Sequence, residues 1–186
     1  MLMEMNQSKQ SLLLHVCCAP CATHSIRMLT HQFDVTAYFY NPNIEPEDEY
    51  KIRLEEMNRL AGEWNVPLLE DPYENSAWHE AVDAYKDEPE GGRRCELCYR
   101  FRLRKTALTA KARQFNRFTT TLSISPHKSA GLINRAGSRV AEETGLPFHA
   151  VDLKKKDGFR ISCQISKEMH FYRQSYCGCL YSRRKT

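Results

Sequence analysis

Short apolar runs alternate along the chain with longer stretches in which apolar residues recur three and four positions apart. The run Leu12-Leu13-Leu14-His15-Val16 and the run at residues 35 to 40 are typical of buried β-strands, because they are short and rich in apolar, branched or aromatic side chains. Residues 47 to 65 carry a helical pattern instead, since the apolar side chains from Met57 to Trp64 fall at i, i+3, i+4 and i+7. The pattern therefore predicts alternating strands and helices.

The same criteria, applied to the whole chain, predict a complete set of elements. Strands are predicted at residues 12–16, 35–40, 67–69, 118–122 and 148–151. Helices are predicted at residues 23–31, 47–65, 76–85, 95–115 and 129–144, with an acidic loop at 87–92. This alternation favours an α/β fold with a mostly parallel sheet, right-handed crossovers and helices on both faces. Because no linker or repeat divides the 186 residues, a single domain over 1–186 is predicted.

Charge adds a second pattern to this picture. The net charge is only +4, but residues 45 to 90 carry 15 acidic against 4 basic side chains. Residues 93 to 117 carry 9 basic side chains against Glu96, and residues 153 to 186 carry 9 against 2. A basic surface on one side predicts a polyanionic partner such as a nucleic acid. A solvated surface with chance segregation of charge is the open alternative.

The chain contains 8 cysteines, and their chemistry depends on the compartment. Residues 1 to 10 are polar and lack the pattern of a secretory signal, and no run approaches the roughly 18 apolar residues of a membrane span. A cytoplasmic location without membrane contact is therefore expected. Thiols stay reduced there, so clustered cysteines indicate metal binding or redox catalysis.

Seven of the cysteines fall into three clusters. Cys17-Cys18-Ala19-Pro20-Cys21 follows the first strand, Cys95 and Cys98 begin the long helix, and Cys177 and Cys179 flank one glycine. We expect these clusters to converge at the carboxyl ends of the strands, where open α/β sheets place their chemistry. Seven thiols exceed the four ligands of a zinc site or an iron-sulfur cluster. From spacing alone, an iron-sulfur or mixed iron site, structural zinc and thiol redox chemistry all stay open, while Cys163 is predicted not to be a ligand.

Five ordered motifs resemble those of one protein family. They are His15-Val16-Cys17-Cys18-Ala19-Pro20-Cys21; Asn41-Pro42-Asn43-Ile44; Glu88-Pro89-Glu90-Gly91-Gly92 with Arg94-Cys95-Glu96-Leu97-Cys98-Tyr99-Arg100; Thr119-Thr120-Thr121-Leu122-Ser123-Ile124-Ser125-Pro126-His127-Lys128; and Tyr172-Arg173-Gln174-Ser175-Tyr176-Cys177-Gly178-Cys179. Together they span residues 12 to 182, nearly the whole chain. On these residues the chain resembles the QueH-type, cobalamin-independent epoxyqueuosine reductases.

The resemblance implies a three-layer, Rossmann-like fold of the nucleotide alpha-hydrolase type. It further implies that epoxyqueuosine in the anticodon loop of tRNA loses its epoxide oxygen to give queuosine, the last step of queuosine biosynthesis. The implied cofactors are a [4Fe-4S] cluster and a nearby second iron, and the implied electron donor is a protein of unknown identity. The implied ligands of these two metal centres are Cys17, Cys18, Cys21, Cys95, Cys98, Cys177 and Cys179. Among these, the resemblance implies that Cys21 holds the second iron and that the other six are candidates for the cluster.

Removing an epoxide oxygen consumes protons, so the site needs proton donors. His127, in a loop after a sheet strand, is the first candidate, with Asp71, Asp152 and Tyr176 as further ones. A histidine that only hydrogen-bonds its loop is the open alternative for His127, and His15 is predicted to be a satisfied core residue.

For tRNA, the candidate contacts are basic or aromatic side chains. Lys128, Arg173, Arg94 and Tyr172 are predicted to contact substrate or tRNA, as are the basic segments 93–105 and 154–160 and the tail 183–185. Tyr172, Tyr176 and Trp78 could stack on a flipped base, although such aromatics also serve in cores.

Two other functions stay open at this point. One is a zinc-stabilised RNA-binding module without catalysis. The other is an ATP-dependent tRNA sulfur transferase, which is disfavoured because Cys17 to Cys21 occupy the place of a glycine-rich phosphate loop.

Overall fold

The computed structural model describes residues 9–183. The strands are β1 (Gln10–Val16), β2 (Phe33–Phe39), β3 (Leu68–Glu70) and β4 (Arg117–Thr120). The helices are α1 (Ala19–Thr30), α2 (Glu47–Trp64), α3 (Asn75–Val82), α4 (Arg93–Ala112), α5 (Ala130–Thr144) and α6 (Gly158–Glu168). Short 3₁₀ turns occupy Asp83–Tyr85, Thr121–Ile124 and Leu180–Ser182.

The four strands form one parallel sheet in the order β3-β2-β1-β4 within the described part of the chain. Strand β1 is central: Leu14 is paired with Ala37 of β2 and with Thr119 of β4. Because both faces of a parallel sheet are covered, a central strand is apolar along its whole length rather than alternating. This explains why Leu12, Leu13 and Leu14 are all fully buried.

Helices cover the two faces of the sheet and create two cores. On one face, Leu12 and Leu14 pack in a cluster with Ile26 of α1 and with Met57 and Leu60 of α2. On the other face, Leu13 packs in a cluster with residues of α4 and α5, which are Leu103, Ala107, Ile133, Ala136 and Val140. The predicted α/β fold with a parallel sheet and helices on both faces is confirmed.

The structure differs from the prediction at several boundaries and at one predicted strand. Helix α1 begins at Ala19 rather than at residue 23, with Pro20 in its first turn, where a missing N–H costs nothing. Helix α4 begins at Arg93 rather than at residue 95. The strand predicted at 118–122 ends at Thr120, whose hydroxyl accepts from Leu122 N and turns the chain into 3₁₀ geometry. The strand predicted at 148–151 is wrong beyond Phe148, which makes a single parallel bridge to Phe118.

Helix α6 was not predicted from the pattern. Its buried face consists of Gly158, Ser162, Ile165 and Ser166. Because three of these four residues are small and not hydrophobic, this face shows no apolar stripe at helical spacing. Gly158 is required for close packing, because a Cβ there would meet the carbonyl oxygen of Leu153. The segment 154–160, predicted only as basic, therefore includes the first residues of a packed helix.

Among the described helices, none is both long enough and apolar enough to cross a membrane. The predicted phosphate contacts Arg184 and Lys185 lie outside the described residues, as do residues 1 to 8 of the polar amino-terminal segment.

Candidate metal centre

Strand β1 delivers the first three cysteines to the carboxyl edge of the sheet. Cys17 and Cys18 follow its last residue, and Cys21 lies in the first turn of α1. The three sulfur atoms lie within 4.8 Å of one another. We refer to Cys17, Cys18 and Cys21 as the loop thiols. Because the helix amino terminus carries partial positive charge, it favours thiolates at this position.

The spacing of the loop thiols suits one metal ion. The Sγ atoms of Cys17 and Cys18 are 3.8 Å apart. Two ligands of a tetrahedral metal with metal–sulfur bonds of about 2.3 Å also lie about 3.8 Å apart. Cys18 is the N-cap residue of α1, yet its side chain caps no backbone N–H, so its sulfur stays available.

The loop thiols share protons with one another. Hydrogen bonds from Cys18 and Cys21 hold the pKa of the Cys17 thiol well below its usual range. The hydrogen bond with Cys17, together with burial, raises the pKa of Cys18 to about 12, and the hydrogen bonds with Cys17 and Cys18 hold the pKa of Cys21 well above its ordinary value. The group therefore favours one thiolate stabilised by two thiols, and a bound metal cation would displace the remaining protons.

The other four clustered cysteines form a second, wider group from two distant segments. Cys95 and Cys98 lie in the first two turns of α4, and Cys177 and Cys179 lie in the segment after α6. We refer to these four as the helix–tail thiols. Burial raises the pKa of Cys179 to about 12, with further contributions from Cys177 and Cys98, and burial also raises the pKa of Cys95. In the described chain, the 4.8 Å criterion is met by the loop thiols and not by these four.

The turn between Cys177 and Cys179 is held by its neighbours on all sides. Gly178 has φ +130°, and a Cβ there would lie 3.0 to 3.1 Å from Ile44 and Asn43. Its carbonyl accepts from Glu45 N at 2.9 Å. Arg53 of α2, paired with Glu49 at 2.8 Å, donates to the carbonyl oxygens of Cys177 at 3.1 Å and Tyr176 at 3.3 Å. The position requires glycine, and α2 fixes the turn.

Unpartnered N–H donors surround the helix–tail thiols. Over residues 9–183, the buried side-chain nitrogen atoms without a hydrogen-bond partner are Asn43 Nδ2, Trp78 Nε1, Arg94 Nε and Arg102 Nη2. Trp78 packs in one cluster with Cys98 and Cys179, and Asn43 lies beside Gly178. Arg94 precedes Cys95, and Arg102 follows Cys98 by one helical turn. Buried donors are almost always bonded. Four cysteines with such donors nearby, Trp78 Nε1 in the same cluster among them, fit an anionic group rich in sulfur acceptors, as an iron-sulfur cluster is.

A cavity of about 400 Å³ opens beside both thiol groups. Its walls include Cys17, Cys21 and Cys177, together with His127, Lys128, Arg173, Gln174 and Tyr176. Burial alone would lower the pKa of Lys128, but the neighbouring sulfur atoms of Cys177 and Cys17 outweigh it and raise the pKa above its ordinary value. The Lys128 ammonium is therefore a cation facing both thiol groups.

Gln174 connects this cavity to the loop thiols. Its Nε2 donates to Cys18 Sγ at 2.9 Å, while its Oε1 is buried without a partner among the residues that the structure describes. The sequence analysis did not single out Gln174, Arg102 or Asn43. Two signals were available: Gln174 and Asn43 belong to the quoted motifs, and Arg102 lies one turn beyond Cys98.

The four candidate proton donors do not all lie at the cavity. His127 and Tyr176 line it, and the Tyr176 hydroxyl donates to the Glu45 carbonyl. Asp71 instead accepts from the Tyr38 hydroxyl at 2.5 Å, and Asp152 accepts from the backbone N–H of Lys154 at 3.1 Å. Neither aspartate is among the residues that line the cavity.

The candidate nucleic-acid contacts divide in the same way. Arg173 and Lys128 line the cavity, and Tyr172 is 38% exposed, with its hydroxyl donating to Glu49. Arg94 is instead buried, and its Nη1 donates to the carbonyl oxygens of Lys86 and Glu88. Trp78 is completely buried. As placed, Arg94 and Trp78 do not present a surface to a nucleic acid.

His15 has the environment of a core histidine, as expected. Its ring nitrogens lie 2.9 Å from Thr120 Oγ1 and 3.1 Å from the Tyr40 carbonyl oxygen. Burial, with the nearby Arg102 charge, lowers the pKa of His15 to about 4.

The sequence matches one protein family over most of its length. The family model described as "Epoxyqueuosine reductase QueH" matches residues 12–185. The chain is 40% identical over 185 residues to the epoxyqueuosine reductase QueH of Streptococcus pyogenes serotype M1, covering 96% of this chain and 72% of that protein. It is 37% identical over 175 residues to the protein of that name from Thermotoga maritima, covering 92% and 90%.

A solved structure shares the fold at low identity. It is described as a predicted subunit of tRNA methyltransferase from Methanocaldococcus jannaschii, with a TM-score of 0.54 and 10% identity over 88% of this chain and 93% of that one. At this identity the likeness concerns the fold alone.

Proposed function

The chain belongs to the epoxyqueuosine reductase QueH family, and from that premise we propose that it reduces epoxyqueuosine in tRNA to queuosine. The observation that carries the proposal is the match to QueH relatives over 92% or more of the chain, in a protein whose fold gathers clustered cysteines beside a cavity. The enzyme is accordingly an oxidoreductase.

The proposal divides the seven thiols into two sets. The helix–tail thiols would hold a [4Fe-4S] cluster, supported by their wider spacing and by the unpartnered donors around them. The loop thiols would hold the second iron, supported by the 3.8 Å sulfur separation. This division gives Cys17 and Cys18 to the second iron along with Cys21, and so departs from the expectation that they belong to the cluster.

The reaction defines what the cavity must do. Converting an epoxide to an alkene consumes two electrons and two protons and releases water. When bound, the cluster and the second iron supply electrons and a Lewis acid. The side chains of this chain must then bind the modified base, stabilise negative charge on the departing oxygen and deliver protons.

Lys128 and His127 suit these tasks in different ways. The Lys128 ammonium, on the cavity wall with Cys17 and Cys177, would stabilise negative charge on the substrate oxygen rather than contact a backbone phosphate. His127, exposed where the cavity meets solvent, would pass a proton from water to that oxygen. Arg173, also on the wall, would contact the tRNA backbone that carries the base.

A zinc-stabilised, non-catalytic RNA-binding module is the second candidate. The 3.8 Å sulfur separation favours it as much as it favours a single iron, because zinc–sulfur bonds have the same length of about 2.3 Å. The cavity and the side chains that line it have no role in that function.

One anaerobic experiment tests the proposal. Protein purified without oxygen is analysed for iron, zinc and acid-labile sulfide, then mixed with epoxyqueuosine-containing tRNA and a chemical reductant. Nucleoside mass spectrometry is expected to show queuosine formed by brown, iron- and sulfide-containing protein. Stoichiometric zinc with no iron, and no queuosine, would overturn the reductase proposal and favour the zinc-stabilised module.

A further inference from the structure

The chain buries two arginines beside the thiols, and their partners differ. Arg53 and Arg102 are each 1% exposed. Arg53 pairs with the Glu49 carboxylate at 2.8 Å. Arg102 donates from Nε to the Cys98 carbonyl and from Nη1 to Asn41 Oδ1, both at 3.4 Å, and its Nη2 has no partner within residues 9–183. It pairs with no carboxylate within that range.

A buried guanidinium without a counterion is expensive, since the effective penalty for burying one unpaired ion is several kcal/mol. Burial alone would lower the pKa of Arg102, but the nearby sulfur atoms of Cys98, Cys177 and Cys17 raise it above its ordinary value. Because Arg102 lies one turn after Cys98 on α4, the two side chains share a face of the helix. Metal-bound sulfur at these positions would therefore supply the counterion that Arg102 lacks.

We propose that Arg102 is a positioning residue that sets the reduction potential of the cluster held by the helix–tail thiols, with Trp78 Nε1 as a neutral donor to the same sulfur atoms. This inference rests on the proposed function. Reduction adds negative charge to the cluster, so a fixed cation and N–H donors stabilise the reduced form and raise the potential. Arg102 would thus make the cluster easier to reduce by the electron donor.

Arg53 does not share this role, although it lies near Cys17 and Cys18. Its charge is offset by Glu49, and its remaining donors are used by the carbonyl oxygens of Cys177 and Tyr176. The pair is nearly neutral as seen from the cluster. Arg102, with no carboxylate partner in the described chain, retains its full charge.

The test is the midpoint potential of the cluster, measured by anaerobic redox titration and followed by electron paramagnetic resonance. Arg102→Gln is expected to lower the potential relative to the unaltered protein at equal iron and sulfide content. Arg102→Lys, which keeps the charge but loses the planar fork, is expected to fall between the two. Trp78→Phe, which removes the N–H together with part of the buried ring system, is expected to lower the potential slightly.

Arg139→Gln is the control, because Arg139 is also cationic and pairs with Glu96 beside Cys95, but its side chain is 60% exposed. Solvent screens that charge, so the potential is expected to stay unchanged. If Arg102→Gln does not assemble the cluster, Arg102→Lys and Trp78→Phe decide the matter.

Unchanged potentials in every Arg102 and Trp78 variant that carries the cluster would overturn the inference alone. Unaltered protein that binds neither iron nor sulfide would overturn the proposed function, and this inference with it.

Discussion

The two thiol groups are built by different means. The loop thiols come from five consecutive residues at the end of one strand, and their sulfur atoms already lie within 4.8 Å of one another. The helix–tail thiols come from segments about 80 residues apart in sequence, and Arg53 and the backbone N–H of Glu45 hold the second segment in place. A local motif can thus present a small metal site by itself, whereas a wider site depends on the whole fold.

The groups also differ in how their charge is compensated. The loop thiols stabilise one another through shared protons, and the Gln174 amide donates to Cys18. Near the helix–tail thiols, Trp78 Nε1 and Arg102 Nη2 have no partner in the described chain. On the proposed division, an anionic occupant of the second group would satisfy these donors, whereas the loop thiols need no such occupant.

Replacing a helix–tail thiol is expected to have the largest effect on metal content and activity. Cys98→Ser removes one of the four proposed cluster ligands, which come from two segments of the chain. Cluster iron, acid-labile sulfide and activity are therefore expected to be lost together. The loss of activity should be at least about 100-fold, the upper end of what the loss of an outer partner costs a metal site. Elemental analysis and the nucleoside assay measure both. Full labile sulfide in Cys98→Ser would show that the ligand set is assigned wrongly.

Replacing a loop thiol should separate the two metals. Cys21→Ser is expected to lose the second iron and reduce activity about 10- to 100-fold, while labile sulfide and the visible absorption of the cluster stay unchanged. The reason is that Cys21 belongs to the tight group and not to the wider one. Sulfide lost in parallel with iron would mean that the loop thiols also bind the cluster.

The anchor of the helix–tail thiols can be removed without touching a thiol. Arg53→Met leaves Glu49 buried without its partner and frees the carbonyl oxygens of Tyr176 and Cys177. We expect the metal-free protein to lose about 3–5 kcal/mol of unfolding free energy, measured by urea denaturation. Arg59→Met is the matched control, because Arg59 also pairs with a glutamate on α2 but is 37% exposed, and it should cost less than about 1 kcal/mol. Equal losses in both variants would contradict the anchoring role.

The sequence predicted the four observed strands and most helices because hydrophobic periodicity is strong where apolar side chains fill a core. Leu12 to Val16 and the stripe from Met57 to Trp64 illustrate this. Periodicity did not identify α6, whose buried face uses Gly158, Ser162 and Ser166. The segment that carries Cys177 and Cys179 arrives by way of this helix, so its final position was not available from the pattern.

The cysteines could be found from the sequence, but their division into groups could not. Spacing along the chain shows that Cys17, Cys18 and Cys21 are neighbours, yet sulfur–sulfur distances depend on backbone geometry. The roles of the buried polar residues could not be predicted from the sequence either. Arg94 and Arg102 stand in a basic run that predicts a nucleic-acid surface, but both are buried, one against backbone carbonyls and the other beside thiols.

The contacts of His79 are expected to make a smaller, pH-dependent contribution to the stability of the structure around the helix–tail thiols. His79 contacts Glu45 and Asp83, each at 2.8 Å, and Asp83 also accepts from the Tyr181 hydroxyl beyond Cys179. Burial alone would lower the pKa of His79, but the hydrogen bonds to Glu45 and Asp83 raise it above its ordinary value. The stabilisation is therefore complete below the unfolded pKa of about 6.5 and is lost as pH rises through the folded pKa.

The measurement is the unfolding free energy of the unaltered protein and of His79→Gln across pH 6 to 9. The difference between them is expected to be under about 1 kcal/mol at pH 6 and to shrink as pH increases. A difference that stays constant or grows with pH would show that the charged form of His79 does not contribute.

Replacement of the eighth cysteine, Cys163, is expected to have the smallest effect of all the cysteine substitutions. Cys163 lies on α6 beside Gln164, Ser166 and Lys167 in a shallow groove that shares none of the other cysteines. Cys163→Ser is therefore expected to leave iron, sulfide and activity unchanged and to alter the unfolding free energy by less than about 0.5 kcal/mol, as partly exposed substitutions do. The same elemental analysis used for Cys98→Ser checks this. If iron were lost in Cys163→Ser, the two thiol groups would not contain the full ligand set, because a further ligand would have to come from α6.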